Sequence, residues 1–184
     1  MNTIQNKLVI MLILFVVLLV SCKDLEEMNI NPNGVDPRNA HPNLLLPTVI
    51  TSTGQAVVGL GFGDLAGVMQ HTQKDGWSDE HNAYEWSSQE WSGFYGTLRN
   101  AEEMLKKSEE AGLDFHKGVA LIFKAYNFGM ITDLWGDAPF SKALLGEEGG
   151  ANLQPVFDSQ KDIYTGILAM LEEANTLLSK DAAE

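Results

Sequence analysis

Residues 91–132, WSGFYGTLRNAEEMLKKSEEAGLDFHKGVALIFKAYNFGMIT, decide the fold of this 184-residue chain. Apolar side chains recur at the start of this stretch at steps of three and four, the spacing that places them on one face of an α-helix. Two lysines and then Gly112 follow, which is typical of a helix end. The sequence therefore predicts one helix over Trp91–Gly112 and a second over His116–Thr132. The apolar stripe of the first helix comprises Trp91, Phe94, Leu98, Ala101 and Leu105.

The second predicted helix is apolar around most of its circumference. Val119, Ile122 and Tyr126 lie on one face, while Leu121 and Phe128 cover much of the rest. A helix of this kind is buried between neighbours instead of exposing one side to water.

A third helix is predicted over Gln160–Leu178. Ser159, with Asp162 three residues later, resembles a capping box, although Glu or Gln is the usual residue there. The apolar residues of this helix repeat those of the first helix at an offset of 73 positions. Either the chain contains a repeat, or two amphipathic helices share a common pattern. The matching residues are Tyr164, Ile167, Leu171, Ala174 and Leu178.

A true repeat implies an all-α fold of tetratricopeptide-like helical hairpins. The first two helices form one hairpin, and Gln160–Leu178 opens the next. No later segment of the given sequence supplies its packing partner, and a single hairpin cannot bury both faces. We therefore expect the repeats to be incomplete at the C-terminus, and the chain to be the N-terminal part of a longer protein.

Two further helices are predicted before this region, over Leu44–Val58 and Leu65–Gln73. Gly59, Gly61 and Gly63 separate them. These glycines lack the Lys-Ser/Thr of a phosphate-binding loop, and no strand precedes them, so they predict a helix–helix turn.

The N-terminus resembles that of a bacterial lipoprotein. Leu8 to Val20 is an apolar run that is too short to span a membrane, and it is preceded by Lys7. Leu19-Val20-Ser21-Cys22 closes the run and resembles a lipobox, in which the cysteine is acylated and becomes the mature N-terminus. The other interpretation is a free or structural cysteine. The lipobox predicts a signal peptide over residues 1–21.

Residues 22–42 are predicted to be a lipidated tether and linker, and residues 43–184 to form the helical domain. Lys23-Asp24-Leu25-Glu26-Glu27 resembles the signal that exports Bacteroidetes lipoproteins to the outer face of the outer membrane, or it is an ordinary polar tether. Removal of residues 1–21 takes away one lysine and changes the formal charge from −13 to −14. Such a charge excludes nucleic acid as a partner and leaves membrane attachment to the acyl chains.

The segment KAYNFGMITDLWGDAPF, residues 124–140, carries the most specific resemblance in the chain. A buried aromatic helix that runs into Asp-Leu-aromatic-Gly-Asp-x-Pro is similar to the signature of the SusD/RagB family, the surface nutrient-binding lipoproteins of Bacteroidetes. Asn31-Pro32-Asn33, the helix with Trp91, Tyr95 and Asn100, and the lipobox agree with it. Family members are generally far longer, and their irregular C-terminal region is absent here.

The resemblance implies a scaffold of four tetratricopeptide-like units, with no catalytic activity and no cofactor. It implies binding of glycans or other large nutrients, including peptides, at the cell surface. The expected partner is a SusC-like TonB-dependent outer-membrane transporter, over which the lipoprotein sits as a lid.

A ligand site is predicted in the polar, aromatic-rich connection Gly76–Gln89 and the residue before it. Sugars stack their C–H faces on aromatic rings and bind carboxylates and amides through their hydroxyls, and binding residues tend to lie on loops. The alternative is that the rings pin the loop to the helical core, which is the interpretation we favour for Trp86. The candidate ligand-binding residues are Trp77 and Tyr84 as stacking platforms, with Asp75, Asp79 and Asn82 as hydrogen-bonding partners.

Two other functions stay open at the level of sequence. A glycosidase would need two placed carboxylates, for which Glu85 with Glu90, or Asp75 with Asp79, are pairs that chance supplies in a chain 20% charged. The histidines lack metal-like spacing. The other open function is a helical-repeat scaffold that binds a protein.

Overall fold

The computed structural model describes residues 40–73 and 89–180, together with the single residues Lys7 and Met11. The chain divides into two units, Met1–Ala40 and His41–Glu184, and all helices considered below belong to the second unit. Within these residues the α-helices are α1 (Leu46–Phe62), α2 (Asp64–Val68), α3 (Ser92–Ala111), α4 (Asp114–Trp135) and α5 (Gln160–Leu178), and short 3-10 turns occupy Pro42–Leu44, Gly146–Glu148 and Gly150–Leu153.

The predicted turn at the three glycines is wrong in position. Helix α1 continues through Gly59 and Gly61, and the chain turns only at Gly63, whose N–H donates to the carbonyl of Gly59 at 2.8 Å. The next helix is also shorter than the predicted Leu65–Gln73. It ends at Val68 because Gln70 adopts a left-handed conformation (φ 57°), and the N–H of His71 then closes the turn on Ala66 O at 2.8 Å.

Helices α3 and α4 form the predicted hairpin. Gly112 ends α3 with φ 69°, and the N–H of Leu113 reaches back to Ser108 O at 2.9 Å. Helix α4 runs to Trp135, three residues beyond the predicted end at Thr132. It stops where Gly136 takes φ 76° and donates its N–H to Thr132 O at 2.8 Å.

Helix α4 packs between α3 and α5, and α1 packs chiefly against α3. The prediction that α4 is buried on all sides is wrong for one face, because Ile122 and Tyr126 are 38% and 47% exposed. The described residues contain one isolated β-bridge, between Ala138 and Asp158, and no strand. The prediction of an all-α fold built on a tetratricopeptide-like hairpin is therefore confirmed. The core consists of Phe94, Leu98, Ala125, Phe128, Ile131, Ala138, Ile163 and Ile167.

Helix α5 has the predicted bounds, and Ser159 caps it. The Ser159 hydroxyl oxygen accepts the N–H of Asp162 at 3.2 Å, and the hydroxyl donates to Asp162 Oδ2 at 2.6 Å. Two of its predicted stripe residues, Ile167 and Ala174, are buried. They are buried because α4 covers one side of α5.

The remaining stripe residues of α5 lie on an adjoining face. Tyr164, Leu171 and Leu178 are 40%, 40% and 36% exposed, and Leu168 beside them is 65% exposed. In α3 the matching stripe is buried at Phe94, Leu98 and Ala101 and half-buried at its two ends, so it is covered more completely than the stripe of α5. The difference follows from packing, since α3 has neighbours on two sides and α5 has one in the described part of the chain.

Candidate functional site

The predicted ligand-binding residues Asp75, Trp77, Asp79, Asn82 and Tyr84 lie outside the described residues. The same holds for Trp86, Glu85, the lipobox with Cys22, and the acidic tether. The structure does describe the point where this connection joins α3. There, Gln89 and Glu90 lead directly into Trp91, which stands immediately before the helix.

The signature segment comprises the second half of α4 and a turn that follows the helix. Asp137 Oδ1 accepts the first backbone N–H of α5, that of Gln160, at 2.9 Å. A carboxylate is favourable at this end of a helix because the first N–H groups lack partners there. The side chain of Gln160 in turn donates to Thr132 O on α4 at 2.7 Å. The Asp-x-Pro part of the motif therefore ties the two helices together.

Asp158 secures the rest of this turn. Its Oδ2 accepts the N–H groups of Phe140 and Ser141 at 2.9 and 2.8 Å, and its Oδ1 accepts the Ser141 hydroxyl at 2.7 Å. Its backbone exchanges two hydrogen bonds with Ala138, at 3.0 and 3.2 Å. Burial opposes the charged form of Asp158, but the hydrogen bonds from Ser141 and Phe140 outweigh it and lower the pKa of this carboxyl group.

Aromatic rings gather beside the turn. The ring centroid of Trp91 lies 5.8 Å from Tyr95, 5.9 Å from Trp135 and 5.6 Å from Phe157. Trp135 also meets Phe94 edge to face at 5.8 Å. These are favourable separations for aromatic pairs. Trp135, the last residue of α4, therefore packs against the start of α3.

A cleft of about 470 Å³ opens next to these rings. The hydroxyl of Tyr95 donates to Pro139 O at 2.6 Å on the cleft wall. Burial first, and then the negative charge of Asp158, raise the pKa of Tyr95 to about 12, so the phenol is neutral at physiological pH. We call this the aromatic cleft; it is lined by Trp91, Tyr95, Pro139, Ala143, Leu144, Gln154, Pro155 and Phe157.

Sequence reasoning missed the aromatic cleft. Phe157 is 61% exposed although it contacts Trp91, and it follows Pro155 in an irregular segment between helices. An aromatic residue two positions after a proline, in a connection between helices, was the signal available in the sequence. The sequence does not indicate that this segment folds back to contact the start of α3.

Of the carboxylates considered for a glycosidase, the structure describes Glu90. Glu90 accepts the Ser92 hydroxyl at 3.0 Å, and its suggested partner Glu85 lies outside the described residues. No group of three or more metal-ligating side chains occurs within the described ranges. His116 instead contacts Asn43 Oδ1 through Nε2 at 2.5 Å.

Comparison with known proteins agrees with the fold. A SusD-like family, described as "Starch-binding associating with outer membrane", matches residues 44–184. A SusD/RagB family protein from Bacteroides thetaiotaomicron is similar in structure, with a TM-score of 0.54 and 26% identity over 79% of this chain and 32% of that one. A SusD homologue from Bacteroides fragilis gives a TM-score of 0.58 and 28% identity over 78% of this chain and 29% of that one.

The chain thus spans about a third of the length of these solved relatives. A search of curated proteins gives no significant match. The family match covers more than half of the chain and includes all five helices, and the solved relatives carry the same family name. The chain therefore belongs to the SusD-like family of the SusD/RagB proteins.

Proposed function

We propose that this protein is a cell-surface lipoprotein that binds glycans or other large nutrients and passes them to a SusC-like TonB-dependent transporter, without catalysis. The observation that carries the proposal is the family match over residues 44–184, whose description joins starch binding to the outer membrane. The all-α scaffold and the uncharged aromatic cleft support a binding role. Copurification of a TonB-dependent transporter with the tagged protein from detergent-solubilised outer membranes tests the partnership.

The lipobox-like sequence at the N-terminus supports attachment of the protein to the membrane. We propose that residues 1–21 are a cleaved signal peptide, that Cys22 is acylated, and that residues 22–42 tether the helical domain to the outer membrane. Two or three acyl chains give stable attachment where one alone is marginal, because each buried CH₂ contributes about 0.8 kcal/mol.

The variant Cys22→Ala should lose its acyl label and leave the membrane fraction, since it has no thiol to acylate. Metabolic labelling with an alkynyl fatty acid measures this directly. Replacement of Asp24, Glu26 and Glu27 by alanine is the matched comparison. It should keep the label but lose susceptibility to protease added to intact cells. Label retained in Cys22→Ala would contradict the anchor.

Ligand binding is proposed for the connection with Asp75, Trp77, Asp79, Asn82 and Tyr84. On a glycan array, Trp77→Ala should lose up to about 10-fold in affinity, because an aromatic contact contributes about 0.5–1.5 kcal/mol beyond the area that it buries and 1.4 kcal/mol corresponds to roughly tenfold. Phe62→Ala is the control, since Phe62 is an aromatic residue of α1 that is 73% exposed. Equal losses in both variants, or none in either, would contradict the assignment of Trp77.

A scaffold that binds a protein is the second candidate, and one observation favours it. Helix α1 and the outer face of α4 leave apolar side chains uncovered around a groove of about 470 Å³, which Ile50, Val57 and Tyr126 help to line. Apolar surfaces of this kind commonly mark protein contacts. A scaffold keeps its partner when Trp77 is replaced, whereas a nutrient binder loses its ligand.

A further inference from the structure

We propose that the aromatic cleft is a contact site for one sugar ring of a neutral glycan, with Phe157 and Trp91 as its stacking surfaces. This inference rests on the proposed function, in which the protein binds glycans. The residues of this site lie outside the predicted ligand connection. They lie where the segment before α5 folds back to contact the start of α3.

The cleft has the dimensions and composition of a small-molecule site. Its volume of about 470 Å³ falls within the ~300–1,000 Å³ usual for such sites, which combine apolar walls with a few polar groups. Gln154 supplies an amide at the wall, and Tyr95 supplies a phenol oxygen that can still accept a hydrogen bond while its proton is donated to Pro139 O. A pyranose ring presents the same combination of an apolar face and a hydroxyl-bearing edge.

Phe157 is held in place before any ligand arrives. The next residue, Asp158, is fixed by its bridge to Ala138 and by three side-chain hydrogen bonds to Phe140 and Ser141. The Phe157 ring contacts Trp91 at 5.6 Å with a 44° tilt, yet 61% of the residue is exposed. A ring held rigidly with most of its surface in solvent can stack on a ligand at little cost in conformational entropy.

The lack of charged side chains in the cleft lining favours a neutral ligand. All eight residues that line the cleft are uncharged at physiological pH, including Tyr95 with its raised pKa. No cation in this lining could pair with a phosphate or a carboxylate, and the formal charge of the chain, −13, repels anions. Nucleotides and acidic sugars are therefore disfavoured relative to neutral hexoses.

The test compares Phe157→Ala with Val156→Ala in the full 184-residue chain. Both residues are 61% exposed and adjacent, but only Phe157 lines the cleft, so Val156→Ala controls for changes in this segment. Binding of maltoheptaose, cellohexaose and mannohexaose is measured by isothermal titration. We expect Phe157→Ala to weaken binding of whichever oligosaccharide the unmodified chain binds by about 10-fold, and Val156→Ala to leave it within about twofold. Circular dichroism confirms that both variants fold.

Each other outcome overturns a distinct statement. If the unmodified chain binds an oligosaccharide and Phe157→Ala binds it equally well, the cleft is not a sugar site, while the proposed nutrient binding stands. If the unmodified chain binds none of the three sugars, glycan binding fails, and the cleft proposal fails with it. If Phe157→Ala abolishes binding of a neutral peptide mixture but leaves sugar binding unchanged, the cleft accepts peptides and the assignment to sugars is wrong.

Discussion

At the scale of single residues, Asp158 does the most to shape the described site. One carboxylate accepts three hydrogen bonds from Phe140 and Ser141, and its backbone pairs with Ala138. Together these bonds fix the turn after α4, the approach to α5 and the position of Phe157. An alanine in its place would leave two backbone N–H groups and one hydroxyl without this partner.

We predict that Asp158→Ala lowers the free energy of unfolding by about 2–3 kcal/mol, because hydrogen bonds to a charged group each contribute on the order of 1.5–3 kcal/mol and water replaces part of the loss. Urea denaturation followed by circular dichroism measures this. Glu147→Ala, at an exposed carboxylate of the same connection, should change stability by less than about 0.5 kcal/mol. Equal effects of the two substitutions would show that the hydrogen bonds of Asp158 do not stabilise the fold.

The same residue predicts a dependence on pH. The pKa of Asp158 is lower in the folded protein than the ordinary 3.8, so the folded state binds its proton less tightly than the unfolded state. Its contribution is therefore complete above pH 3.8 and is lost as the pH falls through the folded pKa. The melting temperature of Asp158→Asn should fall less steeply on acidification below pH 4 than that of the unmodified chain.

At the scale of elements, glycines set how closely α5 approaches its neighbours. A Cβ at Gly166 of α5 would overlap the ring of Phe140, which itself packs on Phe128 at 4.7 Å. A Cβ at Gly129 of α4 would meet Ile167 Cδ1 at 3.9 Å, an ordinary contact. The two positions lie on facing helices and differ in available space.

We predict opposite signs for the two alanine substitutions. Gly129→Ala should stabilise the fold by roughly 0.5–1 kcal/mol, because alanine favours a helix over glycine and fits the space. Gly166→Ala should destabilise it, since displacement of the Phe140 ring costs on the order of 1–3 kcal/mol and exceeds the gain in helix propensity. Thermal melts of the two variants decide this, and stabilisation of both would show that the Phe140 ring moves freely.

At the scale of the whole molecule, the outer face of α5 leaves large apolar side chains uncovered. Leu168 and Leu171 are exposed there at 65% and 40%. Burial of a large apolar side chain contributes roughly 1.5–3 kcal/mol, so association that covers both residues is favoured. Ile167 and Ala174, on the adjoining face, are already buried against α4.

We therefore predict that the 184-residue chain self-associates through this face. The double variant Leu168→Gln with Leu171→Gln should be more monomeric in sedimentation experiments while it keeps its helical circular dichroism. Ile167→Gln should unfold the chain instead, because Ile167 is only 6% exposed. A monomeric unmodified chain at all concentrations would contradict the prediction.

The sequence alone determined the bounds of α3 and α5, and it indicated the family. Trp91–Gly112 and Gln160–Leu178 were predicted within one residue because periodicity, capping and a terminal glycine are local signals. The signature segment at residues 124–140 indicated the SusD/RagB family for the same reason, since its turn chemistry is encoded in consecutive residues.

The tertiary structure alone decided which residues meet. Phe157 reaches Trp91 because Asp158 folds the segment before α5 back onto Ala138 and Phe140, and no local pattern encodes that return. The tertiary structure also decided which apolar residues of α5 are buried. Ile167 and Ala174 on one face, and Leu168 and Leu171 on the adjoining face, all have helical spacing, and only contact with α4 distinguishes the two faces. Local interactions fix where a helix begins and ends, whereas contacts distant in sequence fix which of its faces is covered.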